Sequence, residues 1–288
     1  NEPFVALTTA FTLDGTASEI AENAVLETPI HLCNIGVAEE GVALSSPRTL
    51  VVAGKNSQIH FIESFHALAD TAYLTNAVTE VVVEENATVE HIKVQLESTA
   101  AFHIATSKIH QAAKSGFSSV NVDLGGAIVR NNLNVVLDDE RCEAHLYGFF
   151  RAAGSQLIDN HTFIDQAKPN CESNELYKGI LDNRAKGVFN GKVMVRQDAQ
   201  KTNAFQENKC LLLTDDAVMY AKPQLEIFAD DVKCSHGATV GQLDEDARFY
   251  LRARGISEAK ADSILRHAFA IDIFDRIEVE AVRRKLES

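Results

Sequence analysis

No run of about 18 apolar residues occurs in this chain of 288, so no segment is patterned to cross a bilayer as a helix. The chain opens Asn1-Glu2-Pro3-Phe4, without the basic and long apolar regions of a signal peptide. An initiator Met is lacking as well, which fits a processed or truncated chain. Basic charge is scarce: 27 Lys and Arg stand against 41 Asp and Glu, a net charge of −14. That argues against nucleic acid as a partner, because phosphate binding needs clustered Lys and Arg, and it favours solubility and basic protein partners. Cysteines are few and scattered (Cys33, Cys142, Cys171, Cys210 and Cys234), odd in number, with no Cys-x-x-Cys. A disulfide framework is excluded as an organising device, and a reducing cytoplasm is the expected setting. Neither Gly-x4-Gly-Lys-Ser/Thr nor Gly-x-Ser-x-Gly is present. Gly125-Gly126 has no following helix and reads as a turn. The chain is not equipped to hydrolyse ATP, so any such energy must come from a partner.

What the chain does contain is short apolar segments. Apolar content is 45% and charged content 24%, the balance of a globular protein with a buried core. Segments rich in Val, Ile and Phe recur over residues 1–243, for example 4–11, 29–37, 58–62, 91–96, 120–124, 192–196, 210–213 and 238–243. Gly125-Gly126, Asp138-Asp139, Asn190-Gly191 and Asp215-Asp216 punctuate them, with Asn190-Gly191 the best two-residue hairpin signal. Residues 63–69 read as a short helix, and residues 99–113 have no strict period. So many short strands suggest a sandwich, a barrel or a β-solenoid. Their number, the scarcity of hairpin signals and the shortness of the inward runs favour the solenoid. No strict repeat motif is evident, and the six-residue period of hexapeptide acyltransferases is missing.

From Asp244 the period changes. Asp244 is placed to cap a helix over 245–254, with Glu245 and Asp246 in its first turn and Gly255 as the stop. Ser257 starts a second helix. Ala261, Ile264, Leu265, Ala268 and Phe269 then form one apolar stripe, which Ile273, Phe274 and Ile277 prolong beyond a bend. Residues 278–288 read as an amphipathic charged helix. About 45 residues are too few to bury such a stripe alone, so it must dock on the β part or on another protein. The expected organisation is a β core over 1–243 and a small helical domain over 244–288.

At the junction lies Asp230-Asp231-Val232-Lys233-Cys234-Ser235-His236-Gly237-Ala238-Thr239-Val240-Gly241-Gln242-Leu243. In an extended strand Cys234 and His236 project from one face, offering a sulfur and a nitrogen donor for iron or zinc. By itself a Cys-x-His pair is usually ordinary core or surface. This stretch, however, resembles the signature of the SufD type in the SufB/SufD family, scaffold subunits of the SUF iron–sulfur cluster assembly machinery. Flanking blocks resemble the family too: Ala199-Gln200-Lys201-Thr202, Gln206-Glu207-Asn208-Lys209, Leu211-Leu212-Leu213, Lys222-Pro223-Gln224-Leu225-Glu226-Ile227 and Phe249-Tyr250-Leu251-Arg252-Ala253-Arg254-Gly255-Ile256. Together they span roughly residues 119–270. Phe4-Val5-Ala6-Leu7 matches more weakly. The SufB type is expected to carry a Glu-His-Glu-Ala-Thr type segment where this chain has Cys-Ser-His-Gly-Ala-Thr.

The resemblance implies a mostly β fold, a right-handed parallel β-helix (single-stranded solenoid) with a small C-terminal helical domain. It also implies an N-terminal helical domain that is absent from this chain. It implies a non-catalytic scaffold that pairs with a SufB-like subunit, or with itself as a homodimer when isolated, and that meets a SufC-like ATPase through the C-terminal helices. It places the residue matching His236 at the SufB–SufD interface, near a partner cysteine. His236 is therefore the principal metal-ligand candidate and Cys234 a secondary one, for iron or a nascent cluster shared with the partner. No intrinsic cofactor is expected, since a cluster usually takes about four protein ligands. Cys33, Cys142, Cys171 and Cys210 read as buried small residues, and His145 and His161 as structural. His60, His66, His91, His103 and His110 show no suitable sequence neighbours. Asp230-Asp231 reads as a strand-end turn. The rivals are the SufB paralogue and a β-helix carbohydrate-active enzyme, for which Glu143 and Asp165 would be the carboxylate pair.

Overall fold

The computed structural model describes residues 2–12, 15–37 and 43–287. Helix α1 (Pro3–Phe11) is followed by strands β1 (Gly15–Ile20), β2 (Ile30–Gly36), β3 (Ala43–Ser45), β4 (Arg48–Ala53), β5 (Gln58–Ala67) and β6 (Tyr73–Val83). Then come β7 (Thr88–Leu96), β8 (Phe102–Gln111), β9 (Gly116–Asp123), β10 (Ile128–Leu137), β11 (Glu143–Ala152) and β12 (Leu157–Gln166). β13 (Glu172–Leu181), β14 (Lys186–Val195), β15 (Asn203–Leu212), β16 (Val218–Ile227) and β17 (Lys233–Gly241) complete the β part. Three helices end the chain: α2 (Glu245–Ala253), α3 (Glu258–Phe274) and α4 (Glu280–Glu287).

The strands alternate between two sheets. One runs β1-β4-β6-β8-β10-β12-β14-β16, with β3 also on β6; the other runs β17-β15-β13-β11-β9-β7-β5-β2. Every pairing between named strands is parallel. The chain is thus a parallel β-solenoid, as its many short strands and few hairpin signals suggest. Gln58, Thr88, Gly116, Glu143, Glu172, Asn203 and Lys233 share one register column, so a coil takes 27–31 residues.

The repeat absent from the sequence as a motif exists as a corner. Two residues before each of β5, β7, β9, β11, β13 and β15 stands a left-handed residue: Asn56, Asn86, Lys114, Arg141, Asn170 and Lys201, with φ between 57 and 62°. Asn tolerates this conformation best among non-glycine residues, and it supplies three of the six. The next position is small and buried in every coil: Ser57, Ala87, Ser115, Cys142, Cys171 and Thr202. Cys142 and Cys171 therefore belong to a column of small corner residues. Both thiols point at the Asp139 carbonyl, each 3.2 Å away. Cys210 is buried as expected, whereas Cys33 on β2 is exposed.

Three local expectations are corrected, and the stretch 99–113, with strand-like ends but no strict period, proves to be largely strand β8. Residues 4–11 form a helix, since Pro3 at its first turn presets helical φ and its Thr8 packs on Asn76 rather than entering a sheet. Residues 63–69 lie largely in strand β5, where burial of Phe65 and pairing with β7 outweigh local helix propensity. Asn190-Gly191 sits inside β14, between β12 and β16, with no hairpin.

The interior is not uniformly apolar. The main core runs from Ile20 through Phe61, Val81, Ile109, Val135, Ile164 and Val193 to Ala229. Beside it, inward positions carry Glu63, His91, Lys93, Asp123, Asn131, Asn160, Glu175, Gln206 and Asn208, all buried. The C-terminal helices cover the outer face of the second sheet. Ala270, Ile273, Phe274 and Ile277 pack with Ile92, Val122, Tyr147, Phe149 and Ile180. The Phe149 and Phe274 rings meet edge to face with centroids 5.2 Å apart. Lys178 Nζ donates to Asp272 at 2.6 Å and to the Phe269 carbonyl at 2.9 Å. Asp244 caps α2 through the amides of Asp246 and Ala247, and Gly255 (φ 83°) ends the turn that follows. Ser257 stands at the α3 N-cap without a side-chain bond. α3 continues unbroken to Phe274, so Ile273 and Phe274 lie on it, and the chain turns only ahead of Ile277. Its buried stripe lies further along than expected, with Ala268 exposed.

Candidate metal-donor edge at the end of the solenoid

β17 is the last strand of its sheet, and on its far side no described strand pairs with it. Parallel partners in register project from the same face. Cys234 stands opposite Ala204, His236 opposite Gln206, Ala238 opposite Asn208 and Val240 opposite Cys210, all four partners buried. Cys234, His236, Ala238 and Val240 thus point toward the lumen side of the terminal coil, which no further coil closes. Cys234 is half-buried and packs on the main core, whereas His236 is exposed. Burial pushes the Cys234 thiol above its usual range, which disfavours the thiolate that a metal takes. The predicted pair does share a face, and the imidazole is its accessible member. Val240, Phe228 and Tyr220 leave apolar surface around this end, at 44%, 62% and 57% exposure.

The lumen column that ends at His236 is mostly polar. Through successive coils it reads Phe61, His91, Ser119, Leu146, Glu175, Gln206 and His236. Gln206 Nε2 donates to Glu175 Oε2 at 2.6 Å. Burial raises the Glu175 carboxyl to about 7, against the hydrogen bonds of Thr162 and Gln206, which hold it down. Glu175 Oε1 and Gln206 Oε1 are buried without a partner. Glu175, Gln206 and Gly191 escape sequence reasoning. The signal that finds them is the 30-residue separation of Gln206 from His236, legible only once the coil length is known.

Of the histidines without sequence neighbours, His60, His91 and His110 meet a carboxylate about one coil away, and His103 meets one six residues back. His91 Nε2 lies 2.9 Å from Glu63 Oε2, His103 Nδ1 2.7 Å from Glu97 Oε2, and His110 Nε2 3.0 Å from Asp138 Oδ2. His60 Nδ1 lies 2.7 Å from Glu90 Oε2. His161 contacts Asp159 at 2.8 Å. Among the described residues, His60, Glu90 and Glu278 are the one grouping of three potential metal donors. Glu90 is already engaged there, since its other oxygen takes the Glu278 amide at 2.9 Å. This is a latch between solenoid and helices.

Glu143 opens β11 in one sheet, and Asp165 near the end of β12 in the other is held by Arg196 at 2.8 and 2.5 Å. They form no carboxylate dyad. A cleft of about 520 Å³ over the outer face of the first sheet is lined by Arg130, Asn132, Asn134, His161 and Lys192, with Glu2 as its one carboxylate. Asp231 lies in a strand-end turn, its carbonyl accepting from the Lys201 amide at 2.6 Å.

The family model for the SUF system FeS cluster assembly SufBD core domain matches residues 35–269. The chain belongs to the SufBD core family. Over 287 residues, 99% of its length, it is 32% identical to the iron–sulfur cluster assembly protein SufD of Escherichia coli, covering 68% of that protein. It is 39% identical to an iron–sulfur cluster assembly SufBD family protein of Synechocystis, over 99% of this chain and 65% of that one. It is 35% identical to the chloroplastic protein ABCI7 of Arabidopsis thaliana, over 92% of this chain and 57% of that one. The chain thus spans between about half and two thirds of these relatives. These likenesses favour the SufD type over the SufB type, and none points to a carbohydrate-active enzyme. Among the described residues of this SufBD core, no helix is long and apolar enough to cross a membrane.

Proposed function

We propose that this chain is a non-catalytic scaffold subunit of iron–sulfur cluster assembly, supplying part of a metal-donor set at a subunit seam. The observation that carries the reading is the exposed imidazole of His236 on the unpaired terminal strand β17. Two donors fall short of the roughly four that a cluster takes, so a partner must complete the shell. The open edges of β16 and β17 offer backbone donors and acceptors for that partner, and the exposed Val240, Phe228 and Tyr220 offer it apolar contact. A SufB-like subunit is the expected occupant, and a second copy of this chain takes the place in isolation. His236 binds iron or the nascent cluster; Cys234, half-buried and protonated, is the secondary donor.

The C-terminal helices meet a SufC-like ATPase, which supplies the free energy the chain has no means to obtain. Phe249 and Tyr250 on α2 are 73% and 56% exposed and are the expected contacts. Truncation from 258 onward abolishes ATPase co-purification. Because it also uncovers the outer face of the second sheet, the matched test is Phe249→Ser with Tyr250→Ser, which leaves α3 in place. Unchanged co-purification in that double variant refutes the contact. The decisive test of the scaffold reading is anaerobic reconstitution with the two partner subunits, iron and sulfide. His236→Ala yields assembled complex without a cluster, and wild-type cluster content in that variant ends the assignment.

A further inference from the structure

We propose that Gln206 is a positioning residue for the His236 imidazole, clamped by Glu175 and seated against Gly191. The inference rests on the reading of His236 as a ligand, but its test does not. Glu175, Gln206 and His236 are in-register neighbours on β13, β15 and β17, so each lies about one strand spacing, roughly 4.8 Å, from the next. Gln206 is 2% exposed and Glu175 is 1% exposed. Glu175 Oε2 accepts from the amide nitrogen, and that contact sets which end of the Gln206 amide faces it. The nitrogen donates to Glu175 at 2.6 Å, and the carbonyl oxygen is left buried and unpartnered. The residue that follows Gln206 in the column is His236, whose ring carries an N–H in either tautomer.

A second observation points the same way. Gly191 sits in the middle of β14, where a glycine costs strand stability. A Cβ there would lie 2.3 Å from Gln206 Nε2 and 2.9 Å from its Cδ. The glycine makes room for the amide across the lumen, so the first sheet as well as the second is shaped to hold it. A ligating histidine is usually oriented by a hydrogen bond from its other ring nitrogen, and loss of that outer partner typically costs about 10- to 100-fold in metal affinity. Gln206 is the group on this face placed to give that orientation, and it does so without adding charge beside the metal.

The test uses the whole chain labelled with ¹⁵N-histidine, with the His236 signal identified by its loss in His236→Asn. Long-range ¹H–¹⁵N spectra of the neutral ring read the tautomer directly, with no metal present. Gln206→Leu removes the carbonyl and shifts the tautomer ratio of His236 by about three- to tenfold, the size of one net hydrogen bond. Glu175→Gln, which keeps the volume but no longer dictates the amide's orientation, shifts it in the same direction by less. Should Gln206→Leu fail to fold, Glu175→Gln alone decides. An unchanged His236 tautomer in the folded variants overturns the proposal. Titration with cobalt(II) of the chain assembled with a SufB-like subunit is the second arm. Loss of binding in His236→Asn supports the ligand reading, and a drop of about 10- to 100-fold in Gln206→Leu supports the positioning role. A tautomer shift in the chain without any cobalt binding by the parent complex would retain the positioning contact and sink the ligand reading, so the two fail separately.

Discussion

In the early coils Glu63 meets His91, Lys93 meets Asp123 and Glu97 meets His103, all buried. In the last coils Glu175 meets no cation, Gln206 keeps an unpartnered carbonyl, and the column ends in an exposed imidazole. Both regions line one lumen with the same residue types. They differ in closure: the early groups have coils on both sides, while the terminal coil has one on one side only. A sealed coil with matched partners holds itself together. An open coil with unmatched acceptors is arranged for something outside it.

The early pairs carry the larger stability effects. Burial alone would raise Glu63, but the hydrogen bond and charge of His91 bring its carboxyl below the usual range. Glu63→Ala leaves His91 enclosed without its counter-ion and costs about 3–5 kcal/mol in chemical denaturation. A loss below about 1 kcal/mol would mean that the pair is not the support claimed. Glu97 gives the next effect. Burial again raises it, and His103, Thr75 and Gln95 outweigh burial to bring it to about 2. A depressed carboxylate contributes stability above its unfolded pKa of about 4.5 and loses it as pH falls toward 2. The difference corresponds to about 3 kcal/mol. Urea midpoints between pH 5 and 2 should fall more for the parent than for Glu97→Gln, whose profile is flatter and starts lower.

Much of this was legible in the chain and much was not. Helix α2, with Asp244 and Gly255 at its ends, reads directly from local chemistry, because caps and stops act within one turn. The shared face of Cys234 and His236 reads from the two-residue period of a strand. Two of the early pairs do not, since Glu63 and His91 stand 28 residues apart and Lys93 and Asp123 30: they show no relation until a coil is known to take about 30 residues. Coil length varies by several residues and the corner residue alternates between Asn, Lys and Arg, which hides the period. Residues 4–11 and 63–69 misled for a related reason. Short segments take their state from what they pack on, and Phe65 and Thr8 are fixed by contacts remote in sequence.

Glu175 reverses the sign of the early carboxylates. Its carboxyl is raised to about 7, so its ionisation opposes folding. Such a group is neutral in its effect below the unfolded pKa, and it destabilises the fold progressively as pH rises through about 7. Glu175→Gln should therefore stabilise the chain by about 1–3 kcal/mol at pH 8 and hardly at all at pH 4, as measured by urea titration at the two values. A destabilised Glu175→Gln at pH 8 would erase the distinction between the two lumen regions. Stabilisation together with an altered His236 is the pattern of a site that gives up stability for function.

The smallest expected stability effect belongs to the residue with the largest expected functional one. His236 is exposed on an edge strand, and its replacement leaves no cavity and no buried partner charge. His236→Ala should move the denaturation midpoint by no more than about 0.5 kcal/mol, the range of ordinary surface changes. Cys234→Ala should cost more, because the thiol packs on Ala204 and the main core. If the two roles were exchanged, with Cys234 as the principal donor, reconstitution would fail in Cys234→Ala and survive in His236→Ala. The ordering of stabilities would remain as stated. Calorimetry and cluster content on the same two variants therefore separate packing from ligation at neighbouring positions on one face of a strand.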